Sequence, residues 1–241
     1  GLVIIGIVCG GTEEILRSHP AFFRRGALFT PVFWIIPAML VAGGGLFLLR
    51  WRWAGGGWVV LVGGLATLSG LLALALLAEY HTIDPRDRRF DLSRLYLHLA
   101  AYLAALSLFV AVQPATFSGS EPLPLEIHGW ELPTLASVSG VGLVAALLCF
   151  ELFREEGASW SQIWLFSLVV GFLLAELTWG LSYWSLEGTS EGLVLLLAFY
   201  FITGIIQDRL SGRLTRNSVL EFMGVSTAGL LALGAVRLWL G

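Results

Sequence analysis

The sequence predicts an all-α polytopic bundle of transmembrane helices, and three observations carry that prediction. Of its 241 residues 57% are hydrophobic and 13% charged, about half the charged fraction of an ordinary soluble domain. Apolar runs of bilayer-crossing length recur from end to end, so spans and short loops use up the chain and a soluble globular domain is excluded. The arginines are crowded into alternate connections, as a chain that crosses back and forth requires.

Seven complete spans plus part of an N-terminal one are expected, about eight in all, within a single integral-membrane domain 1–241. The first segment, about 1–11, is apolar but reaches only about 16 Å as a helix, so Gly1 is expected to lie inside a helix that begins upstream. A polar helical turn follows, in which Glu13 and Arg17 can pair at i,i+4 before Pro20 stops it. Span two, 27–49, contains Pro31 and Pro37 and should kink. Arg50, Trp51, Arg52 and Trp53 then form an interfacial anchor. Span three, 55–78, is rich in small residues, and span four, 95–113, has an alanine face at Ala100, Ala101, Ala104 and Ala105. Span five is 133–153. Ser159 and Gln162 read as a capping box opening span six, 163–185, and Ser218 and Glu221 as another opening span eight, 219–240. Span seven, 192–207, is the shortest complete one, preceded by an acidic loop 187–191. Gly6 and Gly10 form a G-x-x-x-G spacing that suits close helix packing. Cys9 and Cys149 sit inside apolar runs and read as free thiols.

Eleven of the fourteen arginines fall in loops one, three, five and seven. The positive-inside rule therefore places loops 12–26, 79–94, 154–162 and 207–218 in the cytoplasm and the C-terminus outside, in a bacterial cytoplasmic membrane. There is no Lys at all. That bias reads as compositional with a contribution from heat adaptation, although thermophile proteins usually gain Lys as well. Arg-rich inner loops favour anionic membrane lipids as partners, and nothing points to nucleic acid.

Glu176 is the most informative residue, a carboxylate within span six with Trp179 and Tyr183 at helical spacing on the same side. A charge at that depth costs on the order of 2.5 to 3.5 kcal/mol, so it is expected to face other helices or a water-filled cavity. Its functional reading is a proton or cation site or a ligand anchor; its structural reading, the weightier one, is an interhelical hydrogen bond. Glu79, His81 and Asp84 gather at the Arg-rich end of span three, on the same membrane side as His19, and suggest a headgroup or metal cluster. Their spacing matches no metal-ligand motif, so no metal is assigned. His98, about a turn inside span four, has the chemistry of an axial ligand to a tetrapyrrole pigment, against the commoner role near an interface of hydrogen bonding to the adjacent loop. No P-loop, dinucleotide-binding, H-E-x-x-H or G-x-S-x-G motif is present.

At Ala78-Glu79-Tyr80-His81-Thr82, at Trp179 with Tyr183-Trp184, and at Gly212-Arg213-Leu214-Thr215-Arg216, the chain resembles a family of uncharacterised bacterial multi-span membrane proteins. The resemblance runs over most of the length and implies an all-helical topology, with no activity, cofactor or partner attached. Three functional readings follow. The first is a non-catalytic structural or accessory subunit of a larger membrane complex, made with other subunits or further copies of itself. The second is a small-solute or ion transporter or channel using Glu176. The third is a lipid-modifying enzyme centred on the cluster at Glu79.

Overall fold

The computed structural model describes residues 2–18, 33–53, 57–84, 88–112, 126–127, 130–154, 158–184 and 188–240. Eight helices occupy them: α1 (Leu2–Arg17), α2 (Ile35–Trp53), α3 (Trp58–Thr82), α4 (Phe90–Val112), α5 (Leu132–Phe153), α6 (Trp160–Ser182), α7 (Gly188–Leu210) and α8 (Arg216–Leu240). The all-α expectation holds. Its one ornament among the described residues is a two-residue ladder, β1 (Glu126–Ile127) against β2 (Trp130–Glu131), with Ile127 opposite Trp130. Helices α3 to α8 are each long and apolar enough to cross a membrane, a set compatible with a multi-pass membrane protein.

Several local readings change. The apolar segment and the polar helical turn after it form one continuous helix to Arg17, which pairs with Glu13 as their spacing predicts. Pro37 sits in the first turn of α2, where its missing N–H has no intrahelical partner to lose, so it opens the helix rather than kinking it. Pro31, Pro20 and His19 lie outside the described residues. The cap of α8 is Thr215 and not Ser218: Thr215 Oγ1 accepts from the Ser218 N–H at 3.2 Å, so the helix begins about one turn early. At α6 the expected cap stands, with Gln162 Oε1 accepting from the Ser159 N–H at 3.3 Å. Helix α7 reaches Leu210 and closes in a Schellman turn. Gly212, at φ +67°, donates to the Arg209 carbonyl, and Arg213 donates to that of Asp208.

The helices fall into two compact units, Gly1–Ala111 and Val112–Gly241, a subdivision absent from the span-by-span reading. In the first, Leu16 of α1, Phe33 and Ile83 form a buried cluster. The alanine face of α4 is buried as its small side chains require, and Gly43 of α2 abuts the Ala104 carbonyl and the Ser107 side chain so closely that a Cβ has no room.

In the second unit α5 and α6 make the tightest crossing. A Cβ on Gly171 would lie 2.6 Å from the Gly142 carbonyl oxygen and 2.8 Å from Ala146 Cβ, and one on Gly142 would lie 3.0 Å from Ala175 Cβ. Gly142 with Ala146, and Gly171 with Ala175, are paired small-x-x-x-small spacings that let the two backbones touch. Val141, Ala145, Leu148 and Leu152 of α5 are buried around this crossing. By contrast, Gly6 and Gly10 of α1 have open space where a side chain would be, so that G-x-x-x-G pair closes no contact among the described residues. Helix α8 leans on α7 through Phe222, whose ring meets Tyr200 at 5.6 Å and covers Gly204.

Candidate functional site

Helix α6 has two unlike sides. Ile163, Ser167, Val170, Gly171, Leu174, Thr178 and Leu181 are buried and face the rest of the second unit. Glu176 lies about 140° around the helix from Gly171, and it is exposed. The expected neighbours of this carboxylate, other helices or a water-filled cavity, are therefore not supplied by its own unit: the small residues that let α5 approach sit on the other side and fix the rotation of the helix. Glu176 is six residues before Ser182, about 9 Å inside the end of the helix. Among the described residues it has no hydrogen-bond or ion-pair partner.

Trp179 and Tyr183 share that exposed side, as the i+3 and i+7 spacing requires, and they are joined. The Trp179 indole N–H donates to the Tyr183 hydroxyl at 3.0 Å. Phe172, Leu173 and Leu165 extend the same surface as exposed apolar side chains. The result is an apolar, aromatic face with one acid near its upper third and a hydrogen-bonded Trp–Tyr pair above the acid. Thr178, on the buried side, and Ser182, on the exposed side, spend their hydroxyls on the Leu174 and Trp179 carbonyls of their own helix. Glu176 and the Tyr183 hydroxyl hydrogen are left with bonding capacity to offer a neighbour.

The residues expected to gather around Glu79 are placed unequally at the Arg-rich end of α3. Positions two apart on a helix point to different sides, and here Glu79 is fully buried while His81 is half-buried and stacks edge-on against Tyr80 at 5.8 Å. Asp84 lies past the end of α3, and His19 lies outside the described residues. Among the described residues no three His, Cys, Asp or Glu side chains converge as a metal site. His98 is half-buried, and its Nδ1–H donates to the Arg94 carbonyl at 2.9 Å, a bond within α4 itself.

Two acids prove more deeply placed than their positions near helix ends suggest. Glu151 is buried and bonded to Arg154 at 2.6 Å, an i,i+3 pair tucked in at the end of α5. Glu191, read as part of an external loop, belongs to the first turn of α7 and is buried there, where the helix N-terminus favours an acid. The sequence signal for the first was the opposite charge three residues on; for the second there was only its distance from the apolar run. Cys149 is buried and Cys9 half-buried, both as free thiols.

No curated protein and no solved structure matches the chain. A model of a family described as a protein of unknown function (DUF5656) matches residues 1–119 and 123–236. An all-helical chain with a solitary outward acid on α6 thus joins relatives that share its sequence along nearly its whole length: it belongs to the DUF5656 family.

Proposed function

We propose that the chain is a non-catalytic subunit of a larger membrane assembly, and that the outward face of α6 is where it meets its neighbour. On this reading it sits in a bacterial cytoplasmic membrane with the Arg-rich connections in the cytoplasm and the C-terminus outside, because the arginine count favours that orientation. The observation that carries the proposal is the exposed Glu176 in a helix long and apolar enough to cross a membrane. Left against acyl chains, such a carboxylate costs on the order of 2.5 to 3.5 kcal/mol. A neighbouring helix that donates a hydroxyl, amide, indole or guanidinium hydrogen bond offsets that cost, and polar contacts of this kind are a recognised means of joining transmembrane helices. The aromatic pair beside it supplies rigid contact area of the type that anchors interfaces.

The transporter reading ranks second. It draws on the same acid but needs a water-filled path to it, and Glu176 faces away from the helices of its own unit. Extraction from native membrane in a gentle detergent, followed by sizing and mass spectrometry of the co-purifying chains, tests the proposal. A stoichiometric second protein, retained by Glu176→Gln and lost with Glu176→Leu, is expected. A lone monomer or a homo-oligomer would overturn the accessory-subunit reading and make transport in reconstituted vesicles the next assay.

A further inference from the structure

The first unit carries an open groove of about 310 Å³ between α3 and α4, at the low end of the range for small-molecule sites. Its walls are Leu74 and Leu77 of α3 and Leu92 of α4, all more than half exposed to the surroundings. Its polar end is formed by His81 and by Arg89, which sits in the turn that leads into α4. Tyr96 lines the same groove, and its hydroxyl donates to the Leu71 carbonyl at 3.0 Å, tying α4 to α3 at the deeper end. From His81 back to Leu74 the groove runs about 10 Å along the helix, from the Arg-rich end of α3 toward its middle.

We propose that this groove is a binding site for an anionic phospholipid of the leaflet on the Arg-rich side. Its chemistry is graded in the way such a lipid is: a cation and an imidazole at the end of the helix, then a mainly apolar channel running inward. Arg89 meets the phosphate with its planar fork of donors, and Leu74, Leu77 and Leu92 take the first stretch of an acyl chain. A free phosphate would use the polar end alone, and the aliphatic walls would serve no purpose. Asp84 and Asp91 lie nearby in sequence and are not among the lining side chains. This site is independent of the α6 face, which lies in the other unit.

The test uses the full chain in detergent with an equimolar mixture of phosphatidylglycerol and phosphatidylcholine, the retained lipid being quantified by mass spectrometry after washing. The wild type should retain the anionic lipid in preference, and Arg89→Gln should lower that preference about fivefold, the worth of one arginine at an anionic surface. Arg213→Gln, an exposed arginine in the turn after α7, should leave it unchanged. An unaltered preference in a folded Arg89→Gln variant, or an equal loss with Arg213→Gln, would overturn the site in favour of diffuse charge. A photoactivatable phosphatidylglycerol on the wild-type chain provides the check that needs no variant. Its adducts should map to peptides of α3 and α4, and adducts confined to other helices would contradict the proposal.

Discussion

The two sides of α6 present the same apolar chemistry and end in opposite situations. On one, Gly171 and Ala175 bring the backbone against Gly142 and Ala146 of α5, and the surface is closed by contact too tight for a side chain. On the other, large residues stand clear, with Phe172 at 62% and Tyr183 at 77% exposure around Glu176. In lipid there is no hydrophobic drive to tell these sides apart, since acyl tails are as apolar as leucine. What distinguishes them is shape on the closed side and polarity on the open one. Small residues recruit a helix by letting it approach, whereas the acid recruits one by what it costs when left alone.

That contrast can be broken from the closed side first. Gly171→Leu forces a branched side chain into the Gly142 carbonyl, where backbone cannot yield. It should lower the stability of the second unit by about 3 kcal/mol or more, seen as a fall in the thermal unfolding midpoint in detergent or failure to elute as a single species. Glu176→Leu should act the other way: the isolated chain keeps its unfolding midpoint, while co-purification of the neighbour falls about 5- to 30-fold, the worth of one interhelical polar contact. Glu176→Gln, which keeps hydrogen-bonding atoms, should retain most of it. A smaller change is expected from Trp179→Phe, which removes the indole donor to Tyr183 and should cost about 0.5 to 1 kcal/mol of local order, measured as faster amide exchange at the end of α6. The smallest is Gly180→Ala on the open side. A Cβ there meets nothing within 4 Å, and the better helix former should raise the unfolding midpoint slightly, by about 0.5 kcal/mol.

The existence of these helices was legible because a bilayer sets a length, and runs such as those of α3 and α6 meet it without reference to any partner. The rotation of α6 was not. A helix apolar on every side has no polar stripe to orient it, so the natural default, that a buried acid looks inward, had nothing to oppose it. The opposing evidence lay in Gly142, Ala146, Gly171 and Ala175, whose spacing is the same in kind as that of Gly6 and Gly10. Only the three-dimensional structure separates a small-residue pair that closes a crossing from one that meets open space. The unequal burial of Glu79 and His81 was also not legible: the two stand close together in sequence at a helix end, and the helical turn puts them on different sides. The groove between α3 and α4 was invisible for the complementary reason, since Leu74 and Arg89 become neighbours only once the chain has turned back on itself.

Site-specific photocrosslinking in native membranes tests the central claim most directly. With a photoreactive residue at Phe172, on the open side and four positions from Glu176, adducts of one fixed mass with another membrane protein are expected, diminished when Glu176 is also changed to leucine. The same probe at Ser167, buried on the closed side, should yield adducts within the chain alone. Adducts at Phe172 with lipid and with no protein would show that acyl chains cover this face, and would contradict the account.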